Sequence, residues 1–294
     1  MSTKKPLQYI LTGMFASLLL IVAMPSCDKE VDWEFPSHTP KPTISGIVEA
    51  GKPVWVHISL SGSIDSAQLT DVTNALVHLY ENGHLLETLE HTSNGLYTSS
   101  SEAQQGNEYK CEVSVPGYEL VSATTIVPLA APIEKVKFIK NAWFNYWGDL
   151  QNAVEVTFSK HDASYLEVVV WSDSERRVTP ANIDDPVLLS EGLDLTLFNT
   201  KFVPTDTYTM RINLQIEDYT PIVVELRSVC KHYYSYQKQL SLYGDALYPD
   251  FFTGALPSIP LYSNVKGGYG IFAGYSKAVS DTITPQMNVA KTLL

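Results

Sequence analysis

From residue 41 onward, short stretches of the chain alternate apolar and polar side chains one residue at a time. Val54, Val56, Ile58 and Leu60 are apolar, while Trp55, His57 and Ser59 hold the positions between them. A period of two sends alternate side chains to opposite faces of an extended strand. Further strand-like stretches at 75–80, 85–89, 96–99, 109–115 and 118–127 are separated by Asn82-Gly83, Asn94-Gly95, Gly106-Asn107 and Pro116-Gly117. Asn-Gly is a strong hairpin signal, because a type I′ turn needs positive φ at both central residues. About seven strands in roughly 90 residues is the spacing of an immunoglobulin-like β-sandwich.

Pro128 and Pro132 bracket a boundary, which sets the first sandwich at 41–130 and a second unit at 131–294. Strands are expected in the second unit at 135–140, 153–159, 165–171, 186–190, 193–199, 208–216 and 222–229. The pattern then changes. Val229, Tyr233, Tyr236, Leu240 and Tyr243 are spaced 4, 3, 4, 3, the stripe of an amphipathic helix over about 229–243 that would lie on the second sandwich. Gly244 is placed to be its C′ residue, and Pro249 would prevent a restart. Beyond it, Tyr269, Ile271, Ala273 and Tyr275 form one face of a strand, while Gly268, Gly270 and Gly274 leave the other bare except for Phe272. Strand glycines mark a bulge or the close approach of another backbone, from this chain or from a partner. The expected fold is mainly β: two immunoglobulin-like or fibronectin-like sandwiches, with a C-terminal amphipathic helix and a glycine-rich strand.

The first 26 residues follow other rules. Lys4 and Lys5 precede a mostly apolar run over 10–24, and Ser26 stands before Cys27. A basic start, an apolar run too short for a lasting span and a small residue before the cut are the parts of a secretory leader. The small residue before Cys27 resembles the lipobox of bacterial lipoproteins, where the cysteine is acylated and becomes the first mature residue. The alternative is an ordinary leader in which Cys27 is incidental. Residues 27–40 read as a tether, with Asp28, Glu30, Asp32 and Glu34 among prolines. Those acids resemble signals that carry lipoproteins to the cell surface; a solvated linker is the equal alternative. The net charge is −12, and loss of Lys4 and Lys5 with the leader makes it −14. That balance repels phosphate backbones and anionic lipid, so nucleic acid is not an expected partner. A covalent lipid is the expected route to a membrane.

The leader with Cys27, the immunoglobulin-like first unit and the tyrosine-rich helix are shared with a known family. The most specific stretch is Ser263-Asn264-Val265-Lys266-Gly267-Gly268, followed by Gly270-Ile271-Phe272. Together they resemble the Bacteroidota lipoprotein family called domain of unknown function 4249, over nearly the whole mature chain. Asn264, Gly267, Gly268 and Gly270 are the motif positions. That family has no established activity, and its members are commonly encoded beside TonB-dependent outer-membrane receptors. The resemblance implies an outer-membrane protein, periplasmic or surface-facing, with a part in nutrient capture.

No His-Glu-x-x-His, Gly-x-Ser-x-Gly, phosphate loop or dinucleotide fingerprint occurs. His57, His78, His84 and His91 fall on different strands and turns, so neither a metal nor a cofactor is expected. Asp184-Asp185 reads as a solvated turn. Cys111 lies on the apolar side of its strand, and both a free core thiol and a disulfide with Cys230 fit. Trp143, Phe144, Tyr146 and Trp147 break the alternation between two strands. Flat rings beside amides and a carboxylate suit a sugar or a partner's side chains, unless they pack between the two units or under the helix. The expected function is non-catalytic: a binding or accessory component of a TonB-dependent uptake system. The alternative is a structural or adhesive surface protein with spacer domains, and an envelope hydrolase rests on acidic loops alone.

Overall fold

Val54, Val56 and Ile58 are fully buried, as their alternation requires, in a computed structural model that describes residues 38–63, 69–172, 176–216, 220–246 and 259–285. The leader, Cys27 and nearly all of the tether lie outside the described residues, as does Pro249. All described residues belong to one unit, His38–Leu294.

Its first half holds strands β1 (Pro42–Glu49), β2 (Pro53–Leu60), β3 (Thr70–Asp71), β4 (Leu76–Glu81), β5 (His84–Thr88), β6 (Glu90–Ser93), β7 (Leu96–Glu102), β8 (Glu108–Ser114) and β9 (Val121–Ile126). The second half holds β10 (Ile133–Phe144), β11 (Leu150–Ser159), β12 (Tyr165–Ser172), β13 (Arg177–Val178), the short helix α1 (Pro186–Leu189), β14 (Leu197–Asn199), β15 (Thr207–Leu214) and β16 (Ile222–Val229). Helix α2 (Lys231–Ala246) and strand β17 (Tyr269–Val279) follow. The class is mainly β. The Asn-Gly turns take the backbone that their chemistry selects: Asn82 and Gly83 have φ of 49° and 80°, Asn94 and Gly95 of 43° and 74°.

One large sheet runs through both halves in the order β13–β12–β16–β17–β1–β2–β7–β6, with β14 on β12 and β3 on β2. The sheet β5–β4–β8–β9 packs on it in the first half, around a core of Ile44, Val56, Ile58, Leu79, Tyr97, Tyr109 and Cys111. The sheet β10–β11–β15 packs on it in the second, around Val156, Phe158, Leu166, Phe198, Met210 and Leu226. β17 joins the halves. It runs parallel to β1, with Thr43 opposite Tyr269 and Glu49 opposite Tyr275, and antiparallel to β16, with Val229 opposite Tyr275. The sequence placed this strand with the second sandwich; its pairing serves both.

Three expectations are corrected. Residues 186–190 are not a strand: Asp185 accepts a hydrogen bond from the Val187 N–H, Pro186 has the preset φ of a first helical residue, and α1 begins there. Helix α2 continues through Gly244 to Ala246, so Gly244 lies inside the helix. The stripe is buried only at its start. Tyr233 packs with Val229, Cys230, Leu197, Ile271, Ala273 and Tyr275, whereas Leu240 is 38% exposed.

Candidate functional site

The four aromatics of the β10–β11 hairpin divide by strand parity. Phe144 pairs opposite Leu150 and Trp143 opposite Gln151, so Phe144 and Trp143 face opposite sides. Trp143 is half-buried, and its Nε1 donates to the Asn152 carbonyl at 2.9 Å. Phe144, Tyr146 and Trp147 are 67%, 95% and 76% exposed, with Leu150 beside them at 47%. They pack neither between the halves nor under the helix. Tyr146 and Trp147 meet edge to face, with centroids 6.0 Å apart and planes at 88°.

The tip is braced from within, chiefly by Asn145. Its Oδ1 accepts from the N–H of Trp147 at 3.0 Å and of Asp149 at 2.9 Å, and its carbonyl accepts from the Gly148 N–H at 3.0 Å. The Asn145 N–H in turn donates to the Asp149 carbonyl at 3.0 Å. Gly148 has φ of 84°, which closes the turn. Further back, Arg211 Nη2 donates to the Ala142 carbonyl, and Asn141 has a positive φ where the β10–β11 register shifts. β15 pairs with β11 only from Asn152 onward, so the last rungs of the hairpin stand beyond the three-stranded sheet. Asparagine one residue before the turn was the available signal for this brace, since its side chain readily bonds backbone N–H groups two residues ahead.

The motif positions near the C terminus meet at the β1–β17 seam. A Cβ on Gly268 would overlap the Pro42 carbonyl, one on Gly270 the Ile44 carbonyl, and one on Gly274 the Ile126 carbonyl. Gly270 also has φ of 109°. The backbone that approaches the bare face is the chain's own. Gly267, at φ 81°, turns the chain into the strand beside Leu120. Asn264 brackets Phe272: its Nδ2 donates to the Phe272 carbonyl at 2.8 Å and the Thr124 carbonyl at 3.1 Å, while its Oδ1 accepts from the Phe272 N–H at 3.0 Å. Phe272 is thereby set into the first core. These four residues form a structural joint.

The sequence reading missed a chain of charges across the same sheet. Glu167 accepts from Arg177 at 2.6 Å and from the Tyr233 hydroxyl at 2.8 Å, and Arg227 lies 3.5 Å away. Arg227 donates to Glu225 at 2.7 Å; Lys277 bridges Glu225 at 2.8 Å and Glu49 at 3.1 Å; the Tyr275 hydroxyl donates to Glu49 at 2.6 Å. Three carboxylates thus face three cations. Burial pushes the Glu225 carboxyl up, but Lys277 and Arg227 outweigh it and hold the group below its usual range. Burial works against the Lys277 ammonium, yet Glu225 and Glu49 raise it. Glu225 and Arg227, two apart within an apolar strand, were the legible sign of a shared face.

The remaining candidates are local fittings. Asp185 is buried rather than solvated, and burial raises its carboxyl despite bonds from Val187, Arg211 and Tyr208. Cys111 and Cys230 are both buried and free, which removes the disulfide alternative. Cys230 Sγ accepts from the Gly274 N–H at 3.3 Å. His57 meets Asp71 at 2.9 Å and His78 meets Thr88 at 3.0 Å; among the described residues no group of side chains could hold a metal. A cleft of about 570 Å³ lies where the halves meet, lined in part by Ile126, Leu129, Tyr165 and Lys231. Among the described residues, no helix is long and apolar enough to cross a membrane.

The family described as Domain of unknown function (DUF4249) matches residues 28–281. The chain belongs to that family. The DUF4249 match spans both halves and ends beyond β17, so the seam lies inside it. No curated protein matches the chain. Among solved structures, this DUF4249 chain is similar to the fibronectin(III)-like modules of CbhA from Clostridium thermocellum. The identity is 14%, covering 63% of this chain and 84% of that one, at a TM-score of 0.23.

Proposed function

We propose that the chain is a non-catalytic binding protein, held at the outer membrane through Cys27 and serving as an accessory to a TonB-dependent receptor. The observation that carries the reading is the hairpin tip, where Phe144, Tyr146 and Trp147 stand in solvent on a loop fixed by Asn145. Rigid, exposed aromatics are the groups that dominate recognition surfaces, because they bury much area and lose few rotamers. Glu167 and Glu225 are buried and both engage Arg227, which supports a structural use of the charged chain.

The test is co-purification of a receptor with the native protein and with the Phe144→Ser, Tyr146→Ser, Trp147→Ser triple variant. Retention by the native chain and loss by the variant is the expected result; no receptor with either would end the reading. Cys27→Ala is expected to abolish acylation and release the protein from the membrane fraction. A second reading, a structural or adhesive spacer, is favoured by the β17 seam that ties the halves together. It predicts a native chain that carries no receptor.

A further inference from the structure

Resting on the membrane-anchored reading above, we propose that the Phe144/Tyr146/Trp147 tip makes a shallow contact with the interfacial layer of a bilayer, as a second point of attachment beside the lipid on Cys27. Three features of the tip select that occupant. The first is its backbone. The N–H groups of Asn145, Trp147, Gly148 and Asp149 are bonded inside the loop, which leaves that of Tyr146, at the 95% exposed apex, to head-group acceptors or water. A loop that leaves water must satisfy its own donors, because the apolar layer offers no acceptors.

The second is area and shape. With aromatic side chains of about 150–250 Å² each, the exposed parts of the tip sum to roughly 500 Å². That is less than the about 800 Å² a specific protein interface takes from each partner, so a receptor contact would need surface beyond these rings, which cap a two-stranded projection that no third strand flanks. The perpendicular Tyr146 and Trp147 rings also offer no common flat face on which a sugar could stack.

The third is charge and residue type. Asp149 is the single charged residue from Asn141 to Leu150, and its carboxylate accepts from Asn145 Nδ2 at 3.2 Å where the loop closes. No residue of that stretch is a cation, and Arg211 behind the tip is committed to the Ala142 carbonyl; the chain's net charge of −12 also opposes anionic lipid. Trp and Tyr at the apex are the residues that sit at head-group depth, each an apolar ring with a polar tip. The contact expected is with zwitterionic lipid at shallow depth, leaving Asp149 among the head groups.

The experiment uses the full acylated protein reconstituted on phosphatidylcholine vesicles, with and without bromine on the acyl chains near the head group. Flotation is measured first. The fluorescence difference between wild type and Trp147→Phe then isolates the Trp147 signal from the other tryptophans. Quenching of that signal by roughly twofold or more in brominated vesicles is expected for a ring at the interface. Protein that floats with an unquenched Trp147 overturns the tip contact and leaves the anchor standing. Protein that fails to float overturns the anchored reading, and the tip contact that depends on it. Quenched Trp147 in a chain that carries no receptor keeps the contact and removes the accessory role.

Discussion

The carbonyl oxygen of Ile44 occupies the space that a Cβ on Gly270 would need. The two residues are register partners across the parallel β1–β17 pair, and Gly270 also has φ of 109°. Gly270→Ala is therefore expected to destabilise by about 3 kcal/mol or more, from strain and displacement together. Gly83→Ala is the control: its φ is 80° with open space around it, and only the backbone cost of about 1–2 kcal/mol is expected. Equal melting shifts in the two variants would show that β17 does not sit against β1.

Helix α2 should respond at one end only. Tyr233 is buried and its hydroxyl donates to Glu167, so Tyr233→Phe is expected to cost about 1–3 kcal/mol by leaving a buried carboxylate oxygen short of a donor. Leu240→Ala, at an exposed position, should stay within about 0.5 kcal/mol. Denaturant titrations of both variants measure the contrast, and a larger loss at Leu240 would reverse the burial described for the helix.

Removal of one cation from the buried chain leaves its carboxylates uncompensated. Arg227→Ala is expected to cost about 3–5 kcal/mol, because Glu167 and Glu225 both face it. A melting temperature close to wild type would mean that water or Arg177 takes its place.

The same chain sets a pH window. Glu225 is held below its usual range, so its stabilising effect is complete above about pH 4.3 and lost as pH falls through the folded value. Lys277 is raised, so its effect is complete below about pH 10.4 and lost as pH rises through the folded value. The contribution of this chain of charges to the melting temperature is expected to be level between these limits. Glu225→Gln should make the acid limb shallower, and an acid limb unchanged by that variant would show that other carboxylates govern it.

Cys111 and Cys230 should be silent in the native protein. Burial first, and Glu112 beside it, pushes the Cys111 thiol up to about 12, and Cys230 is enclosed between β17 and α2. Thiol reagents are expected to label neither until the protein unfolds, read by mass spectrometry of the labelled peptides. Rapid native labelling at either cysteine would contradict its burial.

The sequence by itself determined the elements whose causes are local. Alternation fixed the faces of β2 and β8, the Asn-Gly pairs fixed two turns, and the 4, 3, 4, 3 spacing identified α2. Each depends on residues a few positions apart, which the chain itself holds together. Capping is local too, and Asp185-Pro186 announced α1 to a reader who weighed it above strand propensity. Only the tertiary structure decided the rest. β17 could have paired with either half, and it pairs with both because three glycines let carbonyls of β1 and the end of β9 come close. Glu167 and Arg227 are far apart in sequence and become partners only when β12 and β16 lie side by side. Whether Trp147 faces solvent or a core, and whether Leu240 is covered, depends on what arrives on the other side of each ring or methyl group. Local periodicity assigns a residue to a face, and long-range pairing decides what that face meets.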